Sequence, residues 1–471
     1  MREIIRLQNI SANHPQFGYL NRYNLSVYEG ESIYLLGLHG SGKRTLKEII
    51  ASRIPIERGV IYINEKRIDE YNQHVAVEQG IAIIDSERRL FDGLSISENI
   101  VLAMSSDKNL LSYYNKERLK KEAEEILSIL KWKKDVITLV RDLNSFERMA
   151  LCLAKATKAN SQLIVLDCMI AQFSYTEEIK FLDMITILKK RGISFLIIND
   201  KCNSLMDGSD KIEIMRRGRD VKTIYADEMS KSDVTDFITG DLKEYAFSNK
   251  QIVNKKKQGT IKALFEMKPD IRISVAKYLE KCIEETSIFD EKIALPRDGE
   301  MANCKRTLAI VPMESTNMLL SNLSIGDNIA MVRYRRLSNG FGIVTNGILN
   351  YLEREFCEKC GIKKRPGKIS ELTYIERKIL SIHRWAVANV RVIILEEPFV
   401  NLDMLNIKLL KTYMENLKSS GISVVLFCSN PDELADICSE VILLENGKML
   451  KKYTDKSIGK IRDDISIAIK K

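Results

Sequence analysis

Runs of apolar residues recur along this chain in two alternations, one following the other. SIYLLG opens the first as a continuous apolar strand, and a loop and a helix follow it. ERGVIYINEKRI then reads as short strands bounded by turns. KERLKKEAEEILSILKW carries apolar positions at helical spacing with charge between them. LIVLD and SFLII are continuous Val, Ile and Leu strands. Such strands between helices predict a buried, mostly parallel sheet, hence an α/β fold. From residue 260 the order repeats, with TIKALF, VIILE and SVVLF in the strand places.

The repeat has a fixed register. Gly30 matches Gly259, Leu94 matches Leu323, and Leu143 matches Leu372. LIVLDC, ending at Cys168, matches VIILEE, ending at Glu397; Gly192 matches Gly421, and Gly218 matches Gly447. Every pair lies 229 positions apart. Six ordered matches at one offset mark a duplication, and a period this long is one domain rather than a solenoid unit. The polar, aperiodic stretch SNKQIVNKKKQ sets the boundary, giving domains 1–245 and 246–471, with a helix-rich part at about 87–157 in the first.

Composition narrows the class. The 471 residues are 45% hydrophobic and 29% charged, as in ordinary globular proteins. No apolar run approaches the ~18 residues needed to span a bilayer, and the start lacks a signal-peptide core. The expectation is a cytoplasmic protein whose membrane role comes through a partner. Net charge is +9, but Lys and Arg are interleaved with Glu, which predicts solvated helix faces and no nucleic-acid partner. The nine Cys form no framework, and Cys357 with Cys360 lacks the two further ligands of a zinc site.

The chemistry concentrates in GLHGSGKRT. Gly37, Leu38, His39, Gly40, Ser41, Gly42, Lys43, Arg44 and Thr45 follow a strand and open a helix, the context of a phosphate-binding loop. Its glycines let backbone N–H groups wrap phosphates, the helix N-terminus favours negative charge, and Lys43 reaches the outer phosphates. Arg44 stands where a magnesium-ligating hydroxyl is expected, and Arg cannot bind a cation. Three alternatives stay open: Thr45 substitutes, metal binding is weakened, or Arg44 itself contacts phosphate.

The order of loop, LSISENI, degenerate signature, acidic strand end and downstream Gly resembles the ABC-type ATPases. In tandem and at this length the chain is similar to the fused ATP-binding subunits of ribose- and galactose-type carbohydrate importers. That resemblance implies two P-loop NTPase-type nucleotide-binding domains in tandem, each with a mixed or parallel sheet core and a helical subdomain. It implies ATP and Mg2+ as cofactors, integral-membrane permease subunits as partners and, through them, a sugar-binding protein. The position is then peripheral on the inner face of the cell membrane.

The resemblance also assigns positions. Asp167 holds magnesium through water; Cys168 replaces the base that activates water; Asp200 stands at the switch-histidine position; about Ser86 stands at the metal-sensing Gln. Phe17 or Tyr19, with Tyr23 behind, stacks on adenine. Each nucleotide lies between the loop of one half and the signature of the other, so the first site borrows Thr373 and Asp403. In the second copy, Glu266 to Arg272 stand opposite the loop and contain no Gly, and Pro269 removes an N–H. Glu397 keeps the catalytic acid, in a half without a loop. These assignments predict ATP binding at the first loop with weak or no hydrolysis. The alternative is a pseudo-ATPase with a regulatory or scaffolding role.

Overall fold

The computed structural model describes residues 1–69, 71–85, 90–102, 116–167, 173–226, 234, 259–266, 308–312, 314–339, 341–362, 366, 368–388, 390–445, 448–454, 457–462 and 464–465. Ser86, Cys168, the linker, Met267 to Arg272 and Gly447 lie outside them. The chain divides into two compact units, Met1–Phe173 with Glu177–Gly240, and Ser174–Thr176 with Asp241–Lys471.

The first unit opens with β1 (Glu3–His14), β2 (Gly18–Tyr28), β3 (Ser32–Leu36), helix α1 (Lys43–Ile50), β4 (Arg58–Ile63), β5 (Lys66–Ile68) and β6 (Ile81–Ile84). Helices Ile96–Leu102, Lys116–Ile129 and Ser145–Lys158 come next. The unit then returns through β7 (Leu163–Asp167), β8 (Ser194–Asn199), β9 (Lys211–Arg216) and β10 (Arg219–Tyr225). Strands β2-β1-β4-β5 form an antiparallel sheet. The other six run in the order β10-β9-β3-β8-β7-β6, parallel except at the β9–β10 hairpin. Every residue of β3 and β8 is buried, as a doubly covered parallel strand requires. One core joins both sheets to α1, with Leu7, Ile10 and Val27 packed among Ile33, Leu35, Leu46, Ile49 and Leu196.

The second unit repeats this plan. It contains β11 (Ile261–Glu266), β12 (Leu308–Val311), β13 (Val392–Glu396), β14 (Ser423–Cys428), β15 (Glu440–Glu445) and β16 (Lys448–Thr454). Their order is β12-β13-β14-β11-β15-β16, again parallel apart from the last hairpin. Strand for strand this is the first sheet's order. The starts of β7, β8, β9 and β10 lie 229 residues before those of β13, β14, β15 and β16. The core is Leu264, Leu308, Ile394, Val425, Phe427, Ile442 and neighbours. Both units are therefore α/β with mixed, mostly parallel sheets.

Candidate functional site: the loop between β3 and α1

Strand β3 is the middle of its sheet, and the chain leaves its carboxyl end through Gly37–Gly42 into α1. Two glycines need their freedom here. Gly40 has φ +76° and Gly42 φ +110°, a region that costs any residue with a Cβ. A Cβ on Gly42 would also lie 2.9 Å from the Tyr19 carbonyl oxygen. Gly42 caps α1 without a side-chain hydrogen bond, and the first turn holds no acid. The orphan N–H groups of that turn remain available to an anion.

Lys43 folds across the loop. Its ammonium donates to the Gly37 carbonyl, to the Leu38 carbonyl at 3.0 Å and to Ser41 Oγ at 3.4 Å. The β9–β10 turn braces the same loop from beside: Gly218 N–H donates to Ser41 O at 2.7 Å, and Asn21 N–H donates to Gly218 O at 2.8 Å. Gly218 has φ +71°, and a Cβ there would meet the Tyr19 carbonyl oxygen at 2.6 Å. The downstream Gly of the repeat is thus a packing requirement of the Gly37–Gly42 loop.

Asp200, at the end of β8, comes to this loop. His39 Nδ1 lies 3.2 Å from its Oδ2. Burial raises the Asp200 pKa, but the hydrogen bond from His39 and the charges of Lys43, His39 and Lys201 outweigh it and hold the carboxyl below its usual range. His39 thus ties the loop to the strand end, although three-quarters of its side chain stays exposed.

The metal-binding expectations meet a different arrangement. Thr45 is fully buried and its hydroxyl donates to the Phe17 carbonyl at 2.7 Å, so it does not face the loop. Arg44 lays its guanidinium 4.4 Å from the Phe17 ring centroid. Asp167, at the end of β7, is held by Lys47, whose Nζ lies 2.7 Å from Oδ2. Lys47 sits one helical turn after Lys43 and is buried with Glu48 at 3.2 Å and Asp85 at 3.6 Å. Arg53 closes the cluster, 3.3 Å from both Glu48 and Asp85. Burial lowers the Lys47 pKa, but the hydrogen bond and charge of Asp167, with Glu48 and Asp85, more than reverse this, so the ammonium keeps its proton. Among the described residues no group of three or more His, Cys, Asp or Glu is arranged to hold a metal ion. A magnesium ion therefore does not fit these side chains as they stand: the hydroxyl is spent, and the carboxylate already carries a cation.

The aromatic candidates separate. Phe17 is stacked on His14 at 4.6 Å as well as under Arg44, and packs against the core. Tyr19 is 45% exposed and lines a polar hollow of about 800 Å³ with Asn21, Arg22 and Arg58. Tyr23 is fully buried and donates to Glu213 at 3.4 Å.

The two signature positions share one local structure. Asn144 and Glu147 close a capping box on helix Ser145–Lys158, and Thr373 and Glu376 close another on helix Tyr374–Val387. The bonds to the N3 amides are 2.8 Å and 3.4 Å. At both helix ends the N-cap side chain and the N3 carboxylate satisfy one another's orphan N–H groups, and each brings a negative charge to the helix N-terminus. In the second unit Asp403 is buried and caps helix Met404–Ser419 through Asn406 N at 2.9 Å. Glu397 is buried with φ +41°, its N–H bound to Phe427 O at 2.8 Å. Position 429, opposite Asp200, holds a buried Ser.

Residues 20–170 match the ABC transporter family model. The ribose import ATP-binding protein of Clostridium tetani is 24% identical, with 95% of this chain and 94% of that protein covered. The protein of the same description from Caldanaerobacter subterraneus subsp. tengcongensis is 25% identical, with 95% and 96% covered. A solved ATP-binding cassette of an ABC transporter in its ADP conformation overlaps 51% of this chain at 22% identity, with a TM-score of 0.45. Residues 20–170 of this chain are thus similar to the ABC transporter family, and nearly its whole length is similar to ribose import ATP-binding proteins.

Proposed function

We propose that this chain is the nucleotide-binding subunit of a sugar importer, holding ATP at the Gly37–Thr45 loop and turning it over weakly or not at all. The observation that carries this reading is the uncapped N-terminus of α1 with Lys43 laid across its loop. Backbone N–H groups and one ammonium converge there as a triphosphate requires. The importer role rests on the near-full-length relatives, whose names describe ribose import ATP-binding proteins. No helix among the described residues is long and apolar enough to cross a membrane, so permease subunits would supply the pathway and a sugar-binding protein the substrate. Tyr19, more exposed than Phe17, is the better platform for adenine. Weak turnover is supported by Cys168 at the base position and by the acid-closed helix ends at Asn144 and Thr373.

A pseudo-ATPase with a regulatory or scaffolding role is the second reading. The Lys47–Asp167 pair favours it, because that pair occupies a carboxylate catalysis needs. Calorimetric titration with ATP, and steady-state turnover, separate the two. Binding abolished by Lys43→Ala supports the loop as the site. Turnover lost in the same variant favours the importer ATPase, whereas binding without turnover favours the second reading. No heat of binding in wild type would overturn both.

A further inference from the structure

The cluster beneath the loop has a chemistry of its own. Asp167, Glu48 and Asp85 are three carboxylates gathered around one ammonium, Lys47 Nζ, at 2.7, 3.2 and 3.6 Å. Lys47 is about one-twentieth exposed, as are Glu48 and Asp85. A buried cation in this position is not a solvated surface Lys that a metal could brush aside. Its removal would leave buried carboxylates facing one another, with Arg53 at 3.3 Å from Glu48 and Asp85 as the cation that remains among the described pairs. The one nearby hydroxyl a divalent ion could recruit, that of Thr45, is committed to Phe17 O, and Arg44 beside it lies against the Phe17 ring and offers no lone pair to a metal.

Lys47 follows Lys43 by four residues, so both ammonium-bearing side chains lie on one face of α1. The lower one touches the strand-end acid; the upper one spans the loop. Together they place fixed positive charge where a nucleotide's outer phosphates and their counterion would otherwise meet.

We propose that the Lys47 ammonium stands in for the divalent cation in this domain, so that the loop takes a nucleoside triphosphate without magnesium. The inference rests on the assignment of the Gly37–Thr45 loop as the nucleotide site. It adds that the site is metal-independent by construction, through a residue of this chain.

The experiment has two arms. In the first, ATP is titrated into the full chain by calorimetry, once in excess EDTA and once in excess Mg2+. Wild type should bind with affinities equal within about threefold. Lys47→Met should lose affinity in EDTA and recover it with Mg2+, while Lys47→Arg keeps the wild-type pattern and shows that the position tolerates change. Wild-type affinity at least about tenfold higher with Mg2+ would overturn the proposal. The second arm uses Mn2+ alone, followed by its paramagnetic resonance. Wild type should leave Mn2+ free and Lys47→Met should bind it; binding of Mn2+ by wild type that Asp167→Asn abolishes would overturn the proposal even if no nucleotide bound. Absence of ATP binding under both conditions would instead count against the nucleotide-site assignment. Melting curves of both variants confirm that they are folded.

Discussion

His39 Nδ1 and Asp200 Oδ2 lie 3.2 Å apart, joining the loop before α1 to the end of β8 through an imidazole and an acid. The family places the imidazole on the strand end. Here the strand end carries the acid and the loop carries the imidazole, so a negative charge faces the loop proposed to hold the phosphates. That carboxyl stays ionised because His39, Lys43 and Lys201 outweigh the effect of its burial. On the proposed assignment it would compete with phosphate for the Lys43 charge.

Asp200→Asn should therefore tighten ATP binding. Removing one like charge at the rim of the site is worth about 1 kcal/mol, or about fivefold in affinity. Calorimetry checks this, and weaker binding by the variant would show that Asp200 helps rather than opposes the ligand.

Gly218→Ala should be far more damaging than Gly40→Ala. Both carry positive φ, but a Cβ at 218 meets a backbone oxygen at 2.6 Å, whereas one at 40 meets nothing within 4 Å. We expect about 3 kcal/mol lost at 218 and about 1 kcal/mol at 40. Urea unfolding of the two variants gives the comparison, and equal losses would remove the bracing role of the β9–β10 turn.

The two capping boxes should differ in strength. Asn144→Ala should cost about 1 kcal/mol, and Thr373→Ala about half that, because its bond to the N3 amide is 3.4 Å against 2.8 Å. Denaturation midpoints for the two variants test the ranking.

His383 makes the second unit acid-sensitive. It is 1% exposed, with Nδ1 2.9 Å from Tyr413 Oη. Burial, with the Lys359 charge, lowers its pKa from 6.5 to about 3. The unfolded chain therefore takes up a proton between these values that the fold refuses. Stability contributed by this group is full above about pH 6.5 and falls as pH drops, by up to about 1.4 kcal/mol per unit. Unfolding of wild type and His383→Gln across pH 7 to about 4 should show a shallower decline in the variant.

What the sequence made legible was whatever repeats or punctuates. The 229-residue offset appears directly as matched strands in two sheets of one order. The loop was legible because Gly40 and Gly42 need positive φ. Lys47 was not: a Lys in a helix reads as solvated, and its burial depends on Asp85 and Asp167, which arrive 38 and 120 positions later. His39 was named within the loop, but its pairing with Asp200 was not legible for the same reason, since that partner comes from β8. His383 finds Tyr413 across a helix pair, thirty positions away, which no local spacing announces. Phe17 and Tyr19 looked equivalent, and only packing against His14 and Arg44 separates them.

Strand β11 pairs with β14 on one side and β15 on the other. It is made more than 150 residues before either neighbour. Until the ribosome has released β14, the centre of this sheet is a lone apolar strand with two unpaired edges, and one edge stays open until β15 follows. Such long-range parallel pairing folds slowly, and the waiting strand invites association with other chains. The second unit should thus be the late and chaperone-dependent half of the molecule, a burden that β3, whose neighbours lie equally far ahead, imposes on the first half as well.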